Sequence, residues 1–439
     1  MDAKQAKLRL LRMAMLTRLA DQHRPRDGEV SDVLQRSRER EHISCLVVTR
    51  IVPVQLPELL IGGEPDGNSR GPRRQASGDL RDGDRPQEHA THEQRWNRRT
   101  HRFDHLDFEP RLLNHWEVVN PLESVAVRIL VTGGAGFIGS HVVDAYIAAG
   151  HEVAVLDNLS TGNEDNVNKA AELHRIDVRD QEQVEKAVAS FRPEVVNHHA
   201  AQSEVPKSVA NPGFDAQVNI VGGLNVLKAC VDHKVRKVIF SSTGGALYGE
   251  PDVVPAAEDH PVRPLSPYGT SKFAFEQYLG TFRRTFGLDY TVLRYANIYG
   301  ARQDFHAEEG RVIALFASRM LMGKPVIVDG TGEQSRDMMH VGDVATANLA
   351  SLDRGSGGTF HISTGIATTI NDLFRKLALL TGYRLDPVFG PARKGDVYRI
   401  ALDNERAREG LDWEPQVNLE EGLSLTVDYF RDQVSSTRP

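Results

Sequence analysis

The segment Gly133-Gly134-Ala135-Gly136-Phe137-Ile138-Gly139-Ser140 constrains this chain more than any other stretch. It follows Val127-Arg128-Ile129-Leu130-Val131-Thr132, a mostly apolar, β-branched run that reads as a buried strand. It leads into Val142, Val143, Tyr146 and Ile147, whose spacing predicts a helix. A strand, a glycine turn and a helix start in that order make a dinucleotide-binding unit. Gly134, Gly136 and Gly139 fit Gly-x-Gly-x-x-Gly, while Gly133, Gly136 and Gly139 fit the related Gly-x-x-Gly-x-x-Gly. Glycines permit the tight turn and let backbone N–H groups approach a pyrophosphate at the positive end of the helix. Such a pattern alone also fits an ordinary loop. The next strand, His151 to Leu156, favours the first reading, because Asp157 follows it at the distance expected of a carboxylate that grips an adenosine ribose. No Arg or Lys comes directly after it in Asn158-Leu159-Ser160-Thr161. The carboxylate would repel a 2′-phosphate, so NAD is favoured over NADP.

From about Val127 onward, strand and helix patterns alternate, as in a parallel α/β sheet. Further strands are expected at Glu194–His198, Lys237–Ser241, Tyr290–Arg294 and Thr359–Ile362. Helices are expected over Gln181–Ser190, Gln217–Asp232, Pro267–Phe286, Arg311–Met322, Asp343–Leu352, Ile370–Leu380 and Leu419–Phe430. Before residue 126 the pattern collapses. Met1–Asp21 fits a basic amphipathic helix, but Gly62–His115 is rich in Arg, Asp, Gly and His with little periodicity. Such a stretch buries too little apolar surface to offset chain entropy, so residues 1–125 are expected to be poorly structured. They read as an appendage, as a targeting sequence (against which the many acidic residues argue), or as foreign to the native protein. Because Val127 opens the first strand at once, the natural chain is expected to begin near Val125 or Val127. His89, His92, His101 and His105 have no cysteines among them and no scaffold, and read as a solvated tail rather than a metal site.

At 439 residues the chain has room for two domains. Its net charge of −7 gives no general reason to expect nucleic acid as a partner. Cys45 and Cys230 form neither a disulfide framework nor a metal-ligand spacing, so a cytoplasmic location is expected and no metal. The apolar stretch Cys45 to Ile61 is broken by Arg50, Pro53, Pro57 and Glu58, which argues against a membrane span.

Tyr268 and Lys272 lie in Pro267-Tyr268-Gly269-Thr270-Ser271-Lys272. Four residues apart on a helix, they share a face one turn apart. An ammonium beside a phenol favours the phenolate, so Tyr268 is expected to have a lowered pKa and to serve as acid/base for a substrate hydroxyl. The spacing alone arises by chance in many helices. A second feature strengthens it: the strand Lys237–Ser241 runs into Ser242-Thr243-Gly244-Gly245-Ala246-Leu247-Tyr248-Gly249. A hydroxyl at a strand's C-terminal end faces the crevice where open α/β sheets bind ligands, so Thr243 joins the candidates. A Ser/Thr turn is the bland alternative.

From residue 127 to about 433 the chain resembles the extended short-chain dehydrogenase/reductase family. The resemblance rests on the glycine turn, Asp177-Val178-Arg179-Asp180, His198-His199-Ala200-Ala201-Gln202, Asn219, Thr243, Tyr268, Lys272 and Arg294-Tyr295-Ala296-Asn297-Ile298-Tyr299-Gly300. It implies a Rossmann-type, doubly wound parallel sheet with a smaller C-terminal substrate-binding domain. The NAD-binding domain is expected over residues 126–295, with segments near 340–365 returning to it, and residues 296–435 mainly in the substrate domain. NAD is then expected on Gly133, Gly136, Phe137, Ile138 and Gly139 at the turn. Asp157, Asn158, Asp177 and Val178 would lie toward the adenosine, and Ala200, Ala201, Gln202, Asn219, Tyr268 and Lys272 complete the set.

Within the family the chain is similar to nucleotide-sugar 4-epimerases of the UDP-glucose/UDP-galactose type. There the counterpart of Asn297 contacts the nucleotide diphosphate. Arg336 in Gly332-Glu333-Gln334-Ser335-Arg336-Asp337 and Arg393 in Pro391-Ala392-Arg393-Lys394-Gly395-Asp396 match phosphate-binding arginines. Two planar guanidiniums suit a diphosphate. Related dehydratases and decarboxylases carry an acid just after the Ser/Thr, where this chain has Gly244 and Gly245, which disfavours elimination. The Thr243 loop reaches Tyr248 with one residue more than the commonest epimerase spacing, so Gly244 competes for the position, but only Thr243 has a hydroxyl. The resemblance implies reversible oxidation at C4 of the sugar, with Tyr268, Lys272 and Thr243 catalytic, and a homodimer built on helices Gly213–Asp232 and Pro267–Phe286. Epimerisation of a uronic, N-acetylated or dTDP-sugar, and a catalytically silent NAD-binding protein, are the other readings.

Overall fold

Short runs of Val, Ile and Leu with no polar face fit strands covered on both sides. In the computed structural model, which describes residues 126–304, 312–392 and 397–436, they are such strands. β1 (Arg128–Thr132), β2 (Glu152–Asp157), β3 (Glu172–Arg175), β4 (Val195–His198), β5 (Lys237–Thr243) and β6 (Asp289–Tyr295) join β10 (Gly358–Ile362) in one sheet. All its pairings are parallel, in the order β3-β2-β1-β4-β5-β6-β10. This is the Rossmann order, which reverses direction between β1 and β4. The expectations placed on residues 1–125, and Arg393 with them, lie outside the described residues.

The connecting helices cover both faces. On one, α1 (Phe137–Ala148) contributes Val142, Val143 and Tyr146 to a core shared with Ile129, Val131 and Val155. Val344, Ala345 and Ala347 of the helix Val341–Ala350 close that core. On the other, α2 (Gln181–Phe191) and the helices α3 (Val205–Ala210), α4 (Pro212–Ala216) and α5 (Gly223–Asp232) lie before β5. Val184, Val188, Val226, Leu227 and Cys230 from this side pack with Leu130, Val196 and Phe240. Burial pushes the Cys230 thiol far up, so it is a core residue and not a reactive one. The helix expected over Gln217–Asp232 is in two parts: a π-helical turn, Gln217–Gly222, precedes α5.

α6 (Pro267–Phe286) follows its sequence signals closely. Ser266 caps it by accepting from the Gly269 amide at 3.2 Å, Pro267 opens it, and Gly287 at φ +73° ends it. Phe275 and Leu279 seat it on the sheet. One turn below Lys272, Glu276 receives Arg294 through two hydrogen bonds of 3.1 and 2.7 Å, with both residues almost wholly buried. Arg294 Nη1 also donates to Tyr248 Oη at 2.6 Å, and Ser242 Oγ donates to Glu276 at 2.5 Å. The last turns of β5 and β6 are thereby locked to the helix that carries Tyr268.

The later elements form a second apolar cluster. α7 (Val312–Leu321), α8 (Val341–Ala350), α9 (Ile370–Thr381), α10 (Glu405–Leu411) and α11 (Leu419–Ser436) alternate with short strands. Phe316, Leu373, Leu377, Leu423, Val427 and Phe430 fill the cluster between α7, α9 and α11. β7 (Asn297–Tyr299), β9 (Ser335–His340) and β11 (Ala367–Thr369) make a three-stranded sheet, and β8 (Ile327–Asp329) pairs with β12 (Val388–Gly390). α8, α10 and β10 return to the large sheet and its core, α10 through Ala407 and Leu411.

Replacing Glu276 by Ala leaves the Arg294 guanidinium buried without its counter-charge. The variant is expected to lose about 3–5 kcal/mol of unfolding free energy in urea denaturation; a loss within experimental scatter of zero contradicts the locking role.

Candidate functional site

At the C-terminal ends of β1 and β4, where the strand order reverses, two loops meet almost backbone to backbone. Gly133, at φ +72°, is placed so that a Cβ would fall 2.6 Å from the Ala200 amide nitrogen. Within the turn, a Cβ on Gly139 would fall 2.2 Å from the Gly133 carbonyl oxygen. Glycine is therefore required at both ends of the turn, and the resulting concavity opens at the N-terminus of α1, where Phe137 and Ile138 begin the helix. Asp157, at the end of β2, is buried. Its Oδ2 accepts from the Ala135 amide at 3.0 Å and its Oδ1 from the Leu159 amide at 2.8 Å. Burial raises its pKa and those two bonds oppose the rise. A carboxylate so held ties the glycine turn to β2 and keeps lone pairs for a ribose hydroxyl.

Beyond β3, Asp177 accepts from Asn158 Nδ2 at 2.9 Å and pairs with Arg179 at 2.7 Å. These contacts hold the half-exposed carboxyl well below the usual range, with Arg179 the largest cause. Arg179 also lies 5.2 Å from the centre of the Phe214 ring. Asp177 and Arg179 line a pocket with Asp180, Gln217 and Val221, while Val178 is buried beneath it. Arg175, the register partner of Asp157, is tied to Glu164.

The loop after β4 carries Ala200, Ala201 and Gln202. Gln202 and Asn219 are both buried and bond each other: the Gln202 amide donates to Asn219 Oδ1, and Asn219 Nδ2 donates to the Gln202 carbonyl, both at 2.9 Å. Their side chains therefore brace the loop, while the backbone of Ala200 reaches the glycine turn. Sequence reading left Asp215 unnoticed. It is fully buried and receives Gln202 Nε2, Asn219 Nδ2 and Ser271 Oγ.

Tyr268, Lys272 and Thr243 converge at the end of β5. Thr243 lies close enough to the Tyr268 side chain to lower its pKa. Lys272 is buried, donates to the Ser241 carbonyl at 2.8 Å, and lies 4.7 Å from the centre of the Phe240 ring. The expected lowering of the Tyr268 pKa is not what the chain by itself produces. Burial pushes the phenol up to about 12, Thr243 being the opposing influence, and pushes Lys272 down to about 8. Desolvation outweighs the helical i,i+4 proximity on which the expectation rested. His199 accompanies them: its Nε2 lies 3.1 Å from Tyr295 Oη, and its Nδ1 is buried without a hydrogen-bond partner.

Gly244 and Gly245 follow Thr243. The Gly244 amide donates to the Tyr295 carbonyl at 2.7 Å, and a Cβ there would fall 2.2 Å from Leu402 Cδ1. Asn297 opens β7 and pairs with Met338 of β9, two residues along from Arg336. Since alternate strand residues share a face, Asn297 and Arg336 sit on the same face of this small sheet. Arg336 donates to the Ser335 carbonyl at 2.9 Å. The chain at Tyr398–Ile400 runs alongside Ser335, with its backbone gripped by Glu250, another residue the sequence did not flag.

Among the described residues no helix is long and apolar enough to cross a membrane, and no group of three or more His, Cys, Asp or Glu side chains could hold a metal ion. The glycine concavity, Asp157 and the orphaned His199 Nδ1 fit an NAD dinucleotide laid across the β1–β4 reversal.

Comparison with known proteins agrees with this geometry. The model of the NAD dependent epimerase/dehydratase family matches residues 129–363. UDP-glucose 4-epimerase of Mycolicibacterium smegmatis is 43% identical over 313 residues, spanning 70% of this chain and 99% of that protein. The structure of UDP-glucose 4-epimerase from Thermotoga maritima with UDP-glucose is 50% identical and superposes with a TM-score of 0.69, covering 70% of this chain and 99% of that one. The Thermus thermophilus UDP-glucose 4-epimerase in complex with NAD is 46% identical, with a TM-score of 0.66 and coverage of 69% and 99%. The chain belongs to the NAD dependent epimerase/dehydratase family.

Proposed function

We propose that this protein is an NAD-dependent UDP-glucose 4-epimerase, interconverting UDP-glucose and UDP-galactose by transient oxidation at C4 of the hexose. The observation that carries the reading is the Thr243–Tyr268–Lys272 cluster followed by Gly244 and Gly245, so that no acidic side chain stands just after the Thr243 hydroxyl. Elimination of a sugar hydroxyl needs an acid to protonate the leaving group. Neither Gly244 nor Gly245 carries one, whereas oxidation and reduction at a carbinol need a base, its conjugate acid and a hydride acceptor.

NAD, when bound, supplies the hydride acceptor and donor. Gly133, Gly136, Phe137, Ile138 and Gly139 would hold its pyrophosphate. Asp157, Asn158, Asp177 and Val178 would hold its adenosine, and the Ala200–Gln202 loop its far half. Tyr268 Oη would take the proton of the sugar O4 and return it. Thr243, beside Tyr268, would orient that oxygen. The alcohol's phenol partner is held near 12 by burial, so turnover needs the positive charges of Lys272 and of the oxidised cofactor to favour the phenolate. Asn297 and Arg336, on one face of the small sheet, would grip the diphosphate with Arg393, so that the sugar can rotate while its nucleotide stays fixed. The same reading carries a cytoplasmic homodimer: Val205, Val209, Val221, Tyr278 and Phe286 are exposed apolar residues on or beside the helices expected to pair.

Purified protein given UDP-galactose without added NAD is expected to form UDP-glucose, followed by chromatography. Tyr268→Phe should reduce this turnover by about 10²–10⁴-fold while nucleotide binding survives; near-normal turnover would refute the assignment. Gly139→Ala forces a Cβ against the Gly133 carbonyl. It is expected to purify without NAD and to lose about 1–3 kcal/mol of stability, as nucleotide extraction and denaturant melts would register. Wild-type cofactor content in that variant would count against the pyrophosphate site.

A further inference from the structure

We propose that Asp215 is a positioning residue for the Tyr268–Lys272 pair, its buried carboxylate anchoring their helix to the loop after β4 and placing a negative charge against the residue that precedes Lys272. The inference rests on the epimerase reading for its activity readout alone.

The geometry is specific. Asp215 is fully buried on α4, immediately before the π-helical turn. Its Oδ1 accepts from Gln202 Nε2 at 2.9 Å and from Asn219 Nδ2 at 3.0 Å. Its Oδ2 accepts from Ser271 Oγ at 2.7 Å. Gln202 belongs to the loop against the glycine turn, and Ser271 stands between Tyr268 and Lys272 on α6. One carboxylate therefore ties the cofactor-side loop to the helix bearing the candidate base. All three donors are neutral, and a buried carboxylate satisfied only by neutral groups is costly unless a cation lies near. Lys272, next in sequence to Ser271, is a cation within its electrostatic reach: Asp215 raises the Lys272 pKa, against the desolvation that lowers it to about 8.

The other groups facing Lys272 do not supply this charge from outside its own helix. His198 and His199, at the end of β4, are held neutral by burial, and Lys272 itself pushes their pKa values further down. Glu276 also raises Lys272, but it is on α6 and engaged by Arg294. Tyr268 faces Thr243 and feels Asp215 as an upward influence. Removing the Asp215 charge thus favours the deprotonated form of both Lys272 and Tyr268. Each pKa moves down, and both limbs of a pH–activity profile move to lower pH.

The test is an NMR titration of the Lys272 Cε resonance in isotope-labelled full-length protein, assigned by its loss in Lys272→Arg. It is run beside the pH profile of UDP-galactose conversion. Asp215→Asn keeps the shape and removes the charge. Its Lys272 midpoint is expected about one unit below wild type, the size of shift a single close charge imposes, and its alkaline limb should fall in step. Ser271→Ala removes a donor and leaves the charge less screened, so its midpoint should rise by a few tenths. A folded Asp215→Asn protein with an unmoved midpoint overturns the proposal, however much activity it loses. Should that variant fail to fold, Ser271→Ala decides: a midpoint at or below the wild-type value overturns it. Absence of turnover in the wild type would sink the epimerase reading and leave the titration to judge Asp215 on its own.

Discussion

Everything in this site depends on the approach of Gly133 to Ala200. The loops that leave β1 and β4 run in opposite directions across the sheet, and only at that reversal can a ligand lie along both. Their backbones come so close that a single Cβ on Gly133 would overlap the Ala200 amide. Gly139 repeats the constraint one step on, against the Gly133 carbonyl. Asp157 then fixes the turn to β2 through the Ala135 amide, and Gln202 with Asn219 fixes the opposite loop. The concavity is a consequence of backbone contact, and the side chains around it serve to keep that contact in register.

Burial sets the chemistry next. Taken out of water, a phenol and an ammonium drift toward their neutral forms, so Tyr268 rises to about 12 and Lys272 falls to about 8. A base that stays protonated and a cation that starts to lose its proton make a poor pair by themselves. Placed charges and dipoles limit these drifts without cancelling them. Lys272 is held on the Ser241 carbonyl and against the Phe240 ring, and Asp215 and Glu276 lie within electrostatic reach. Thr243 pulls the Tyr268 pKa down. Beneath them, the buried Arg294–Glu276 pair keeps the ends of β5 and β6 at a fixed distance from α6.

How much of this was legible depended on whether the signal was local. α6 is expected and observed over the same residues, Pro267–Phe286, because Ser266, Pro267 and Gly287 mark both its ends in sequence. β1 through its glycine turn is equally plain, since apolar run, glycine spacing and helix follow without a break. β3 was missed: Glu172-Leu173-His174-Arg175 alternates polar residues at a sheet edge and lacks the apolar run of its neighbours. β7, β8, β11 and β12 were missed because strands of three residues carry no period to detect. The π-helical turn at Gln217–Gly222 was read as ordinary helix, since its apolar pattern is the same. Of the site, the candidate residues were proposed from motifs that are local in the sequence. Asp215 and Glu250 were not, because their roles come from partners far away in the chain, Ser271 for one and the Tyr398–Arg399 backbone for the other. The pKa of Tyr268 was misjudged for the same reason: helical spacing shows a neighbour, and only the fold shows how dry the place is.

The central claim is that C4 of the sugar loses and regains the same hydrogen inside one site. The direct measurement is conversion of UDP-galactose carrying deuterium at C4, in ordinary water, with the label in the UDP-glucose product read by mass spectrometry. The account predicts that deuterium stays at C4 throughout many turnovers, because hydride moves within a closed crevice and only the O4 proton passes through Tyr268. Washout of the label into water at a rate comparable to turnover would contradict it.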